Sequence, residues 1–166
     1  DGSVGHKFVI YGRSDSDYAA NTEDWRSISG GGVCLEGCPV TFRSHTQKFV
    51  TLSVTEAEGA AGVMTAQDML YVYNLLVSMG LQVQLPMMLE MDNQGAVDLA
   101  SDWSVGGRTW HVDVRIHYIH ELKEAGILVI KWVPGPESDV DIHMKNDPNP
   151  LFEKIGTLYF SKDKYF

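Results

Sequence analysis

Four acidic residues stand where a carboxylate could do chemistry: Asp15 in SDSDY, Glu58 in TEAE, Asp92 at the end of MLEMD, and Asp141 in VDI. A carboxylate beside apolar neighbours costs free energy unless a hydrogen bond, a basic partner or a metal ion compensates it. Hard oxygen ligands drawn from several elements suit divalent cations, and two such ions about 3.5–4 Å apart suit phosphoryl chemistry. Each acid also has a plain structural explanation. Glu58 could close a capping box with Thr55, although Ser53 and Glu56 form the same pattern two residues earlier. Asp15 and Asp17 could be turn-side acids that share a strand face. Asp92 could cap the helix that follows it, and Asp141 could be a surface acid near a helix start. Taken singly, each structural explanation is as good as the functional one; taken together, in this order of elements, they are not.

The elements that must position these acids are legible from patterning. KFVIYGRSDSDYA reads as a first strand. SISGGGVCLEGCPVTFRSHTQK holds two more, joined at Glu36-Gly37, and Gly30–Gly32 implies a bulge or close backbone packing. A long helix is expected from Ser53 to about Met79, with Ala57, Ala60, Ala61, Met64, Tyr71, Leu75, Leu76 and Met79 at helical spacing and Gly80 as its stop. LPMMLEMD is a fourth strand, NQGAVDLA a short helix, RTWHVDVRIHYIHELKEAG a longer one and ILVIKWVP a fifth strand. ESDVDIHMK is expected to add a final helix before a polar-aromatic tail. Three strands followed by alternating helices and strands imply a mixed sheet, in which chemistry collects at the carboxyl ends of parallel strands. Asp92 falls at one.

Composition sets the outer bounds. The 166 residues, 44% hydrophobic, suffice for one domain with its own core. A chain that opens on Asp1 is expected to be a piece of a longer protein. No apolar run approaches membrane-spanning length. Cys34 and Cys38 make neither a zinc site nor a disulfide framework, and read as reduced strand residues in an intracellular setting. The net charge of −9 argues against a protein that coats nucleic acid, unless cations bound to the acids reverse the local field. The remaining basic residues, Arg13, Arg26, Arg43, Lys48, Arg108, Arg115 and Lys131 among them, are scattered, so any phosphate binding must be local.

The ordered set Gly12–Ala19, Arg26–Gly30, Ser53–Glu58, Asp92-Asn93-Gln94, Arg108–Arg115, Val133-Pro134 leading to Asp141-Ile142, and Pro150–Lys154 resembles the ribonuclease H domain of copia-type retrotransposon Pol polyproteins. Any one of these motifs is weak; the set covers nearly the whole chain in order. The resemblance implies an α/β fold, a ribonuclease H-like mixed five-stranded sheet of three antiparallel strands plus parallel strands flanked by helices. It implies one domain over 1–146, with 147–166 as a tail packed on it.

The same resemblance assigns Asp15, Glu58, Asp92 and Asp141 as ligands of two Mg²⁺ ions, with Mn²⁺ able to substitute, and leaves Glu56 the capping job. It implies a metal-dependent endonuclease that hydrolyses the RNA strand of RNA–DNA hybrids during reverse transcription and leaves 5′ phosphates. Ser16, Asn93, Gln94, Arg108, His111 and Arg115 are expected at substrate, His111 on the family motif; from the residues alone, Arg108 and Arg115 could instead pair with acids on the domain. From the residues alone, Asn93 and Gln94 need be no more than helix-start residues, and His117 and His120 read as a polar helix face. Tyr71, Tyr73 and Tyr118 read as core or core edge; Trp103 and Trp132 stay open. The implied partners are the hybrid and the reverse transcriptase domain of the same polyprotein, with no membrane, in cytoplasmic virus-like particles. The alternative is a non-catalytic nucleic-acid-binding module of the same fold.

Three departures from the family pattern stand out. Gly59 replaces a usual aromatic residue beside Gly62, which implies a helix start looser or closer to substrate. Trp110 replaces a basic residue before His111. No histidine lies in the Val133–Val140 loop, where cellular ribonucleases H often carry one.

Overall fold

The computed structural model describes residues 5–101 and 110–134. Its elements run β1 (Lys7–Phe8), β2 (Ile10–Asp17), β3 (Ile28–Leu35), β4 (Cys38–Thr46), α1 (Val54–Ser78), β5 (Gln82–Val83), β6 (Met87–Met91), α2 (Gln94–Ser101), α3 (Trp110–Glu124) and β7 (Leu128–Trp132). The five-stranded sheet has the order β4-β3-β2-β6-β7. β2, β3 and β4 pair antiparallel, whereas β6 joins β2 and β7 joins β6 in parallel. This is the expected mixed sheet. The segment expected to form a last helix, and the tail after it, lie outside the described residues.

Local chemistry explains most boundaries. β3 and β4 are joined by two residues, Glu36 at φ 53° and Gly37 at φ 81°, the double left-handed geometry that matches the twist of a tight hairpin. Ser53 caps α1 by accepting from the Glu56 N–H at 3.1 Å, while the Glu56 carboxylate accepts from the Leu52 N–H at 2.7 Å. Gly80, at φ 78°, turns the chain out of that helix.

Two expectations need correction. The first strand is not continuous. The Val9 N–H donates to the Glu36 carboxylate at 2.7 Å and its carbonyl accepts from the Glu36 N–H at 2.9 Å, so Val9 is tied to the hairpin turn. β1 instead pairs with β5 as a separate two-stranded parallel ladder, which the patterning did not indicate. The apolar stripe of α1 also runs along a different line. Ala57, Ala61, Met64 and Leu76 are buried as expected, and Met69 and Val72 join them, but Leu75 and Met79 are exposed and Tyr71 is 70% exposed. Tyr73 and Tyr118 do pack at core edges.

α1 lies close on the sheet because the strands beneath it carry glycine. A Cβ at Gly31 would sit 2.2 Å from Thr65 Oγ1, and one at Gly12 would sit 2.5 Å from the Met69 sulfur. Gly31 and Gly32 therefore serve close packing, and the register shift in this hairpin falls between Val33 and Cys34 instead. Between helix and sheet lies a core of Ile10, Val33, Met69, Met87, Leu89 and Leu128. Neither Cys34 nor Cys38 forms a disulfide among the described residues. No helix among the described residues is long and apolar enough to cross a membrane.

Candidate metal centre

Parallel pairing of β2 with β6 sets Ser14 opposite Met91, so the next residues, Asp15 and Asp92, emerge side by side at the ends of adjacent strands. Glu58, in the opening turns of α1, closes over them. One carboxylate oxygen from each of Asp15, Glu58 and Asp92 lies within 4.8 Å of the other two. Asp15 and Glu58 are buried, and Asp92 is half-buried. Asp17 is not in this group.

Ser16 holds the arrangement. Its backbone N–H donates to Asp15 Oδ1 at 2.7 Å and to Glu58 Oε1 at 3.1 Å, and its hydroxyl donates to Glu58 Oε1 at 2.7 Å. The other oxygen, Glu58 Oε2, is buried with no hydrogen-bond partner among the described residues. Burial above all pushes the Glu58 carboxyl up to about 7; the Ser16 hydroxyl opposes the rise and the Asp92 charge reinforces it. Converging carboxylates, one with an orphaned buried oxygen, form a donor set that fits a hard divalent cation.

Asp92 is not the cap of α2. Asn93 takes that role, its Oδ1 accepting from the Ala96 N–H at 2.9 Å. The Asp92 carbonyl accepts from the indole N–H of Trp132 at 2.9 Å, which fixes the backbone at the strand end. Gln94 donates to Asp98 at 2.7 Å, one helical turn on. Three residues expected at substrate, Ser16, Asn93 and Gln94, are thus engaged within the protein. Arg115 stacks its guanidinium 3.7 Å over the Phe49 ring. His117 faces Glu121 at 3.2 Å on an exposed helix face, as expected. His111 falls in the first turn of α3, where only its place in the helix is described. Arg108, Trp103 and Asp141 lie outside the described residues.

The two glycines of the helix start differ in what surrounds them. Both are buried: a Cβ at Gly59 would lie 3.5 Å from Ile116 of α3, and one at Gly62 would lie 2.9 Å from the Met91 methyl. Gly62 thus lets α1 sit close on β6, whereas a Cβ at Gly59 would make only ordinary van der Waals contact with Ile116.

Sequence reasoning missed two supports. Gln47 donates to Ser29 Oγ at 2.8 Å and to the Ala57 carbonyl at 3.0 Å, tying the end of β4 to the first turn of α1. Glu90, one strand position from Met91, forms an ion pair with Arg13 and lies 3.8 Å from Lys131. The only signal for Glu90 was a charged residue inside an apolar strand.

No protein-family model matches the chain. It is 31% identical over 150 residues to the retrovirus-related Pol polyprotein from transposon TNT 1-94 of Nicotiana tabacum, covering 90% of this chain and 11% of that one. It is 31% identical over 158 residues to the Pol polyprotein from transposon RE2 of Arabidopsis thaliana, covering 93% and 11%. The chain thus spans about a tenth of the length of the curated relatives it matches. Among solved structures, LC11-RNase H1 in complex with RNA/DNA hybrid superposes with a TM-score of 0.58 at 15% identity, covering 80% of this chain and 91% of that one. The N-terminal RNase H domain of Rv2228c from Mycobacterium tuberculosis gives 0.52 at 15% identity, covering 79% and 89%.

Proposed function

We propose that this chain, a ribonuclease H-like domain related to copia-type Pol polyproteins, is a metal-dependent endonuclease for the RNA strand of RNA–DNA hybrids. The observation that carries the reading is the convergence of Asp15, Glu58 and Asp92 at the ends of two parallel strands and the start of one helix. Asp141 is proposed as a fourth ligand on the resemblance of its motif.

In this reading the acids hold two Mg²⁺ ions, with Mn²⁺ able to substitute. Bound cations at such a site supply activation of the attacking water and charge stabilisation of the departing 3′ oxygen. The chain's own contribution is placement. Ser16 fixes one oxygen of Glu58 by two hydrogen bonds and leaves the other without a hydrogen-bond partner among the described residues. Glu58, with its carboxyl pushed to about 7, must shed its proton before it can serve as a ligand, so cation uptake near neutrality releases a proton. Burial of Asp15 and Glu58 keeps water from competing for their oxygens. Selection of RNA would come from contacts to 2′-hydroxyls across the minor groove, with little sequence readout. The setting proposed is removal of template RNA during reverse transcription, beside the polymerase domain of the same polyprotein and within virus-like particles.

The test is incubation with an end-labelled hybrid and Mg²⁺ or Mn²⁺, with and without chelator, beside a DNA-duplex lane. The expected result is RNA-strand cleavage to 5′-phosphate products, lost with chelator, and an intact DNA duplex. Binding of the hybrid without cleavage would support a non-catalytic module instead. Cutting of the DNA duplex would move the protein to another class of nuclease.

A further inference from the structure

The outer side of α1 changes character along its length. From Met69 to Leu89 the chain carries no acidic, basic or histidine side chain, although 21% of its residues are charged. Tyr71, Leu75 and Met79 recur at every fourth position, so they stack on one side of the helix and its cap; they are 70%, 49% and 65% exposed. Asn74 and Ser78, also exposed, stand beside them and are uncharged. α3 shows what an ordinary solvated helix face looks like in this protein: its exposed positions include His117, Glu121 and Glu124. The helical spacing counts Tyr71, Leu75 and Met79 as core positions, yet the core of the domain leaves them outside.

The chemistry of this face suits another protein surface. Depletion of charge, with aromatic and methionine side chains present, marks the centre of protein interfaces. An exposed apolar cluster of this kind is uncommon on a face that meets only water. A nucleic-acid backbone or a membrane surface would call for lysine or arginine around the face, and the stretch has no basic group. The face also lies about 20–30 Å from Glu58 along the helix axis, so a protein seated on it leaves the acids open. Position names the occupant. Lys7 and Phe8 of β1 pair with Gln82 and Val83 of β5, and the Gln84 N–H donates to the Phe8 carbonyl at 2.9 Å. β5 follows directly on the turn at Gly80, so β1 lies beside the end of the apolar stripe. A polypeptide joined ahead of β1 therefore emerges at the rim of this face, and this chain matches only 11% of a Pol polyprotein relative.

We propose that Tyr71, Leu75 and Met79 seat the polypeptide that precedes this domain in its Pol polyprotein, through an apolar and uncharged surface of that polypeptide. The inference rests on the polyprotein setting proposed above and not on cleavage. Tethering explains why so small a face suffices. A covalently joined partner is held at an effective concentration on the order of millimolar, so a few apolar side chains keep it docked. A free second copy would have to bury about 1,200–2,000 Å² to pair stably. Docking at the end of α1 remote from Glu58 fixes how the acid cluster is presented relative to the rest of the polyprotein without covering it.

The experiment is hydroxyl-radical footprinting read by mass spectrometry, on the isolated chain and on its full-length parent protein. Tyr71 and Met79 should oxidise about fivefold or more slowly in the parent, as side chains do that pass into the dry centre of an interface. Trp25, exposed on the loop between β2 and β3 at the acid end, should keep its rate. Leu75→Lys with Met79→Lys, both at exposed positions, should return Tyr71 in the parent to its rate in the isolated chain. The same pair should leave the circular dichroism of the isolated chain unchanged. Equal oxidation of Tyr71 and Met79 in the two proteins, or protection no greater than at Trp25, would overturn the inference. So would protection in the isolated chain that grows with its concentration, which would assign the face to a second copy. Primer extension by the parent, measured alongside, reads the polyprotein setting separately. Extension without protection sinks the inference and keeps that setting; protection without extension keeps the docked face and sinks the setting.

Discussion

Glu58 and Glu90 are both almost fully buried, at 2% and 6% exposure, and both pack against β2, yet they are handled in opposite ways. Glu90 meets basic side chains, Arg13 and Lys131. Glu58 meets the Ser16 hydroxyl and further carboxylates, and one of its oxygens has no hydrogen-bond partner among the described residues. In one place the chain compensates a buried acid from its own sequence. In the other it concentrates acids, which in the proposed reading are compensated from outside. A buried ion pair closes a site, whereas an under-compensated acid cluster holds one open for a cation.

The sharpest way to break the comparison is to exchange the two glutamates' fates. Glu58→Gln should reduce hybrid cleavage to background, because a neutral amide replaces a charged ligand, whereas Glu90→Gln should leave cleavage per folded molecule near wild type. Cleavage rates normalised to folded protein by circular dichroism check this. If Glu90→Gln were the inactive one, the two regions would have been assigned the wrong way round.

The next effect is on stability, with opposite signs. In chelator, the Glu58 carboxyl near 7 lies above its unfolded value of 4.5. Folding then binds a proton between those limits, so the stabilising share of the protonated group is complete below pH about 4.5 and is lost as pH rises through about 7. Glu58→Gln should remove this slope and gain up to about 3 kcal/mol at pH 8 relative to wild type. Glu90→Gln should instead lose roughly 1–3 kcal/mol, since it removes the buried carboxylate charge that Arg13 and Lys131 face. Urea midpoints at pH 5 and pH 8 read both. A wild type with equal midpoints at the two values would contradict the assigned environment of Glu58.

A smaller effect sharpens the role of Ser16. Ser16→Ala removes the hydroxyl that draws the Glu58 carboxyl down, so the acid limb of the pH–rate profile should move to higher pH. Its loss of activity should be about 10–100-fold, the usual range for a group that orients a ligand. Ser16→Thr, which keeps the hydroxyl, should recover the profile. A fall in rate with no movement of the limb would leave Ser16 as a structural residue only.

Much of this was legible in the sequence because it is local. Ser53 and Gly80 bound α1, Glu36-Gly37 turns the β3–β4 hairpin, and β6 stops at Met91, just before Asp92, for reasons contained within a few residues. What was not legible depends on residues far apart in the chain. The pairing of Arg13 with Glu90 spans 77 positions and exists only because β6 adds to β2 rather than to an edge. The break at Val9 needs Glu36, 27 positions away. From the sequence Asp92 could cap the helix that follows it, and only geometry shows that Asn93 caps that helix and leaves Asp92 to the acid cluster. Gly59 and Gly62 were read against a missing aromatic ring, whereas their neighbours are Ile116 and Met91 on other elements.

The most direct measurement is the uptake of Mn²⁺, followed by the loss of its free-ion electron paramagnetic resonance signal, with a hybrid blocked by 2′-deoxy substitution at the cut. The wild-type chain should take up the ion, and Glu58→Gln and Asp92→Asn should each lose that uptake while remaining folded. Equal uptake by the wild type and both variants, or none by the wild type, would contradict the claim that these distant acids form one cation site.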